Sequence, residues 1–367
     1  MNISIFNTFI DQNALSEING VFTSTFLSEG KLVKDFENQL SSELGLLNPV
    51  ALNSGTSALH LALVLSEIGP GDEVIIPAQT FVATGLVVLQ QGAKVVFADI
   101  DYNTGNINLE SIKEKTTSKT KAIILVHWGG YPCDLDEINN FANSKNIIVI
   151  EDAAHALGAS YKGRVIGSIS DYTCFSFQAI KHLTTGDGGA ICSRNAQKQH
   201  ESIVRRWFGI DRSNSSLSHL GERQYDIDKL GFKYHLNDFS AALGIANLSS
   251  FHKRMKNRYE VSEFYTKNLS TIDGISLFEY EKNRQSAYWL FGFHVQQRDA
   301  FIRSLNEKGI TASVIHMGID RNSIFGGQDY SLINQRRFDN TQIHIPIHDG
   351  IDLEKAEFIV DTIKKGW

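Results

Sequence analysis

The stretch IIVIEDAAHALGASYKGRVIGSISDYTCFSFQAIKHLTTGDGG, residues 147–189, decides the fold. Its opening run, Ile147 to Ile150, is short, apolar and β-branched, the pattern of a strand buried on both faces of a parallel sheet. Glu151, Asp152 and His155 follow at its carboxyl end, where open α/β sheets place their ligands. A second β-type run, Tyr172 to Phe177, delivers Ser176, then Lys181, then the glycine-rich Gly186-Asp187-Gly188-Gly189.

Taken singly, these residues say little. A lone lysine in a loop is a solvated charge, and a lone aspartate after a strand is a cap or turn residue. Taken jointly they point to pyridoxal 5'-phosphate (PLP). That cofactor needs a lysine to form a Schiff base with its aldehyde. It also needs a carboxylate to keep its pyridine nitrogen protonated, so that the ring accepts electrons.

Working outward, NSGTSALHLALVLSEIG at 53–69 is the second informative place. Asn53-Ser54-Gly55-Thr56-Ser57 is small and polar, and Ala58, Leu59, Leu61, Ala62, Leu65 and Ile68 then recur at helical spacing. A hydroxyl-rich turn opening a helix presents free N–H groups and a positive dipole end, which favour a phosphate. Read alone, it is an ordinary Ser/Thr cap. Phe81 sits just past the strand-like VIIPA; an aromatic there packs in a core or stacks on a flat ring. Strand-like runs alternate with helical ones up to Gly189, which predicts a mostly parallel sheet flanked by helices. The run AICS after Gly189 reads as a strand that can be antiparallel.

Residues 1–14 read as an N-terminal arm, 15–250 as a large α/β domain and 251–367 as a small α+β domain. The helical stretch from Ser240 to about Leu269 is expected to bridge the two domains. Residues 213–219, rich in Ser and Asn, read as a mobile surface loop. In the C-terminal part, GISLF and YWLFGFHV read as strands, RDAFIRSLNEKG and DLEKAEFIVDTIKKG as helices.

Composition excludes several classes. The 367 residues are 42% hydrophobic with a net charge of -6, enough for a sizeable core and without the footprint of a nucleic-acid binder. Cys133, Cys174 and Cys192 have no metal spacing and are an odd number, which suits a reducing compartment and no metal site. No window approaches a membrane span, and MNISIFNTFIDQN lacks a basic region followed by a long apolar run. A cytoplasmic protein is the expectation. There is no G-x-G-x-x-G after the first strand, no Walker loop, no H-E-x-x-H and no G-x-S-x-G.

The phrases NSGTSALHLAL, IPAQTFVAT, GYPCDLDEI, EDAAHALGA, SFQAIKHLTTGDGGA and GFKYHLND, in this order between about 50 and 245, resemble the sugar aminotransferases. These are the DegT/DnrJ/EryC1/StrS type, in the aspartate-aminotransferase class called fold type I. The resemblance implies that Lys181 is the Schiff-base lysine and that Asp152 pairs with the pyridine nitrogen. His155 would lie near the ring's phenolate oxygen, a place where the family often has Gln. Gly55, Thr56 and Ser176 would hold the phosphate, and Phe81 would stack on the ring. Asn237 would reach the phosphate of a neighbouring subunit, giving a homodimer with shared sites. His316 and Arg321 are the candidates for the sugar, in a segment, ASVIHMGIDRNSIFGG, that departs from the family's Pro-rich, His-containing pattern. The glycine run is GDGG where GEGG is commoner.

The implied reaction moves an amino group from glutamate to a keto sugar, with 2-oxoglutarate released and pyridoxamine phosphate (PMP) as the intermediate cofactor form. The sugar would be a nucleotide-linked 4-keto- or 3-keto-6-deoxyhexose, for lipopolysaccharide, O-antigen or other surface glycans. The alternative is a PLP-dependent sugar dehydratase or deoxygenase. One branch of the family replaces the lysine by histidine for that chemistry. Here the position is Lys181, and the neighbouring His182 is not that replacement.

Overall fold

The computed structural model describes residues 2–367. Two helices, α1 (Ala14–Ser24) and α2 (Lys31–Leu44), precede a seven-stranded sheet. Its strands are β1 (Val50–Leu52), β2 (Glu73–Pro77), β3 (Lys94–Ala98), β4 (Thr120–Val126), β5 (Ile148–Asp152), β6 (Tyr172–Ser176) and β7 (Gly189–Ser193). They lie in the order β1-β7-β6-β5-β4-β2-β3. All run parallel except β7, which pairs antiparallel with β1 and β6. The expected α/β class and mostly parallel sheet are what the chain adopts.

The apolar runs are continuous because both faces of this sheet are covered. Side chains alternate across the pleat. Ile75, Ile123, Leu125 and Val149 therefore enter one core cluster, and Val74, Ile76, Ile124 and Ile150 enter the other. The first cluster receives Ile112 from α5 (Leu109–Lys115) and Leu135, Ile138 and Ala142 from α6 (Leu135–Lys145). The second receives Leu59, Leu61 and Leu63 from α3 (Gly55–Leu65) and Val87 and Val88 from α4 (Ala83–Gln90).

Strand β5 runs on through Glu151 and Asp152, past the apolar stretch. Glu151 can stay in the ladder because its charge is satisfied inside. Its Oε1 accepts from Ser170 N at 3.0 Å and its Oε2 meets His127 Nε2 at 2.8 Å. Cys133 N–H donates to His127 Nδ1 at 3.1 Å, so Nδ1 is the acceptor and the proton sits on Nε2. This pair locks the ends of β4 and β5 together and turns Asp152 to the opposite face.

After α7 (Ala196–Arg205), residues 213–219 lie at the surface, and part of the run is paired. Ser216–Leu217 pairs with Arg223–Gln224 in an exposed hairpin. Its turn closes through Ser218 N→Glu222 O and a left-handed Gly221. The bridging helix also differs. It is two helices, α8 (Asp238–Leu248) and α9 (Phe251–Leu269), broken at Ser249-Ser250. Serines offer the backbone alternatives to the helix. Here Ser250 Oγ donates to Asp11 Oδ2 at 3.0 Å, and Asp11 N–H donates to Asn247 Oδ1 at 2.8 Å. The chain's first residues thus hold the break.

A second, antiparallel sheet of β8 (Ile275–Leu277), β9 (Phe291–Val295) and β10 (Gln342–Ile345) packs with α9, α10 (Arg298–Glu307), α11 (Ile333–Thr341) and α12 (Leu353–Lys364). Phe291, Phe293, Ile343 and Ile345 share a core with Tyr265 of α9 and with Ile3. Ile3 is held by Thr311 N→Ile3 O at 2.9 Å. Arg254 of α9 donates to Asp349 Oδ2 at 3.0 Å and to the carbonyl of His182 at 2.7 Å, so the helix grips the loop that carries Lys181. Among the described residues no helix is long and apolar enough to cross a membrane.

Gly189 is where β7 meets the turn before α3. A Cβ on it would lie 2.5 Å from Ser54 C and 2.6 Å from Gly55 N, both main-chain atoms that cannot rotate away. Gly189→Ala is expected to cost about 3 kcal/mol, the upper part of the usual overpacking range. The denaturation midpoint should fall accordingly; an unchanged midpoint would show that strand and turn can part freely.

Candidate active site

Four segments converge on a cavity of about 540 Å3 at the carboxyl ends of β2, β5 and β6. The end of β5 supplies Asp152 and His155. The turn at the start of α3 supplies Ser54, Gly55 and Thr56. The β6 end and the following loop supply Ser176, Gln178 and Lys181. The second sheet and its loops supply Trp289 and His316. Ile5 and Phe6 of the N-terminal segment complete the wall.

Asp152 is buried, 6% exposed. Thr84 Oγ1 donates to its Oδ2 at 2.7 Å, and Ala154 N–H to its Oδ1 at 3.2 Å. Thr80 and Thr84 hydroxyls meet at 2.7 Å behind it. Burial pushes the carboxyl above its usual value, against the pull of Thr84, Ala154 and the charge of Lys181. Lys181 sits inside the protein but faces the open cavity. Burial lowers its amine to about 7, with the carboxylate of Asp152 opposing the fall. At neutral pH a large share of the amine is therefore unprotonated and nucleophilic.

His155 is buried and its Nδ1 has no hydrogen-bond partner. Burial, together with the nearby Lys181 charge, holds it well below the usual imidazole value, so it is neutral. Its ring stacks on Trp289 with centroids 3.8 Å apart. His316 is likewise lowered, to about 4, first by burial and then by Lys181.

The α3 turn opens its helix with small polar residues. Ser54 caps the helix by accepting from Ser57 N–H at 3.0 Å, and Ser57 Oγ donates to Asn53 Oδ1 at 2.7 Å. With Ser57 N–H taken by the cap, the N–H groups of Gly55 and Thr56 are left at the helix start. A Cβ at Gly55 would lie 3.0 Å from Ser176 Cβ, so the glycine lets the helix start and Ser176 approach closely.

Among the residues singled out from the sequence, Gly55, Thr56, Phe81, Asp152, His155, Ser176, Lys181 and His316 all face this one cavity. Phe81 is 54% exposed at its mouth, its ring 5.4 Å from that of His316. Two residues stand elsewhere. Arg321, expected at the sugar, points to solvent outside the cavity. Ile319 and Asp320 are the buried members of its turn, and Arg336 Nη2 holds Asp320 at 2.8 Å, which leaves Arg321 outward. Asn237 is exposed and caps α8, accepting from Ser240 N–H at 2.8 Å.

Sequence reading missed Trp289, Thr84, Gln178 and Phe6. Trp289 lay inside an ordinary aromatic strand run, and Thr84 inside a helix. Nothing in the local spacing marks Trp289, Thr84 or Phe6, which only the fold brings to the cavity; Gln178 stands three residues before Lys181 on the same loop.

Comparison with known proteins finds sugar aminotransferases along the whole chain. The UDP-4-amino-4,6-dideoxy-N-acetyl-beta-L-altrosamine transaminase of Campylobacter jejuni (serotype O:23/36) is 33% identical, with 98% of this chain and 97% of that protein aligned. The crystal structure of the sugar aminotransferase CalS13 from Micromonospora echinospora superposes with a TM-score of 0.94 at 30% identity, covering all of both chains. Spr1654 from Streptococcus pneumoniae, in its PLP form, superposes with a TM-score of 0.91 at 27% identity, covering 100% of this chain and 98% of that one. The model of the DegT/DnrJ/EryC1/StrS aminotransferase family matches residues 8–364, nearly the whole length. A lysine and an aspartate on one cavity, beside a hydroxyl-rich helix start, thus have their place in a known lineage: the chain belongs to the DegT/DnrJ/EryC1/StrS aminotransferase family.

Proposed function

We propose that this protein is a PLP-dependent aminotransferase that moves an amino group from glutamate to a keto sugar carried on a nucleotide. The observation that carries the reading is the shared cavity of Lys181 and Asp152, an amine lowered to about 7 facing a buried carboxylate. The residues fit the cofactor. The unpartnered Nδ1 of buried His155 awaits a polar partner, and the α3 turn with Ser176 suits a phosphate. When bound, PLP supplies a carbon that condenses with amines and a ring that takes up the electron pair left when a C–H bond breaks.

The chain's own residues do the rest. Lys181 Nζ takes the proton from the α-carbon of the donor and later delivers one to the sugar carbon that receives nitrogen. Asp152 would hold the pyridine N–H, with Thr84 and Ala154 fixing its two oxygens. His155, neutral and stacked on Trp289, would lie beside the cofactor's phenolate oxygen. Gly55, Thr56 and Ser176 would bind the phosphate, and Phe81 would cover the ring. His316 is placed to touch the sugar. Glutamate leaves as 2-oxoglutarate and the sugar leaves as an amine.

A homodimer completes the site in this reading, with Asn237 reaching the phosphate held by the other subunit. What supports it is the exposed apolar group Leu15, Phe22, Phe26, Leu27 and Phe239 around α1 and α8, near the exposed Asn237. The product serves surface-glycan or lipopolysaccharide synthesis in the cytoplasm. Hydroxyl removal is not favoured, because Lys181 is present and the similar proteins carry transaminase names.

The test is an assay with glutamate and a panel of nucleotide-linked 4-keto and 3-keto 6-deoxyhexoses, read by mass spectrometry. An amino sugar and 2-oxoglutarate are expected in equal amounts, from a species of twice the 40.9 kDa chain mass. Formation of a deoxy sugar without amine, or activity from a monomer, would overturn the corresponding part.

A further inference from the structure

Trp289 lies outside the residues that aminotransfer chemistry requires, yet it touches Phe6, His155, Ile180 and Lys181 at the site. It is 3% exposed. Its Nε1–H donates to the carbonyl of Ile180, the residue before Lys181, at 3.0 Å. The amine of Lys181 stands over its ring, Nζ to centroid 3.6 Å. His155 stacks on it at 3.8 Å with planes 15° apart, and Phe6 stacks on it at 5.0 Å with planes 24° apart. One indole therefore contacts the lysine loop, the imidazole after β5 and the N-terminal segment.

We infer that Trp289 is a positioning residue for Lys181, a platform that aims the free amine into the cavity and holds its charged form on the indole face. The inference rests on the reading of Lys181 as the reacting amine and goes beyond it. A cation over an indole is attracted by the ring quadrupole, most strongly where water is excluded. Two anchors act on one lysine: the hydrogen bond fixes the main chain at Ile180, and the ring face catches the end of the side chain. The platform also opposes the effect of burial. Apolar surroundings drive the amine toward neutrality, whereas the indole and Asp152 both favour the ammonium. The other titratable groups on the cavity wall are His155, Cys174, Asp187 and His316. His155 and His316 are neutral and the thiol is protonated, so the charge that favours the ammonium is the one on Asp152.

The test is the titration of Lys181 in the full-length chain freed of cofactor. Trace labelling with acetic anhydride across a pH series, read on the peptide that contains Lys181, gives the midpoint of its amine. Trp289→Leu removes both the quadrupole and the N–H donor, and the midpoint is expected to fall by about one pH unit. Trp289→Phe keeps a ring and should fall by less. Phe6→Leu keeps the indole and its N–H donor, so its midpoint should move less than that of Trp289→Leu. A midpoint that stays or rises in Trp289→Leu overturns the inference. If that variant does not fold, an unchanged midpoint in Trp289→Phe overturns it equally. The cofactor reading is judged separately: wild type loaded with PLP must gain visible absorbance that depends on Lys181. If the midpoints shift but that absorbance is missing, the platform stands and the cofactor assignment falls.

Discussion

Lys181→Ala is expected to lose the visible absorbance of the PLP-loaded protein and to slow amine transfer by on the order of 10^4-fold or more. The physical reason is that, among the described residues, Lys181 is the one lysine that lines the cavity. The substitution should leave the fold intact, because Lys181 makes no salt bridge and its main-chain neighbours are held independently. Lys181 N–H donates to Gln178 O at 2.9 Å, and Arg254 holds the carbonyl of His182. Lys181→Arg should not rescue, since a guanidinium stays charged where burial has brought the lysine amine to about 7. The sign of the pH dependence follows from the same number. Below pH 7 the amine is mostly protonated and cannot attack; above it the free amine dominates, so the rate of cofactor capture should rise through neutrality. Absorbance titrations and single-turnover rates check both points. A loaded Lys181→Ala protein with an unchanged spectrum would remove the residue from its role.

Asp152→Asn should retain PLP yet transaminate more slowly by about 10^2- to 10^3-fold. Losing one preorganised electrostatic group at a reacting centre costs about 2.7–4 kcal/mol of the barrier, and each 1.36 kcal/mol is tenfold in rate. Asparagine keeps the shape, and its Oδ1 can still accept from Ala154 N–H or from Thr84, so thermal stability should change little. What disappears is the negative charge that would keep the pyridine nitrogen protonated. The loss should therefore appear in the rate of proton abstraction from the donor rather than in cofactor affinity. Single-turnover kinetics with α-deuterated glutamate separate the two, since a slowed chemical step raises the isotope effect. A variant with wild-type rates would refute the electron-sink role of Asp152.

Much of this protein is legible before folding because its chemistry is local in sequence. Asp152 and His155 leave one strand; Ser176 and Lys181 leave the next. In a parallel sheet, adjacent strand ends lie at one edge, so reading two strands already brings these residues together. The hydroxyl-rich start of α3 announces itself for the same reason, as a cap directly before a helical apolar pattern. The resemblance of the motifs in order then named the lineage, which the match over residues 8–364 bears out.

Other features escaped for reasons that can be named. Strand β10 was missed because Gln342 and His344 interrupt its apolar pattern. They are buried only because Gln342 Nε2 finds the carbonyl of His316 at 2.9 Å and His344 Nδ1 finds that of Ser313 at 3.3 Å. The break between α8 and α9 depends on Asp11, 239 residues before Ser250. Arg321 was a candidate because it lies in the segment ASVIHMGIDRNSIFGG, comparable to the family's sugar-contacting segment; in the fold His316 lines the cavity and Arg321 is exposed outside it.

By itself the sequence determined the parallel sheet, the arrival of Lys181 and Asp152 at neighbouring strand ends and the hydroxyl-rich cap before α3, because each rests on periodicity and on residues a few positions from a strand or helix end. Tertiary structure alone decided that Trp289 lies under the amine, that Thr84 holds the carboxylate and that Phe6 closes the wall. Those contacts join segments more than a hundred residues apart or lie on the inner face of a helix, and no spacing along the chain encodes the packing that brings them together.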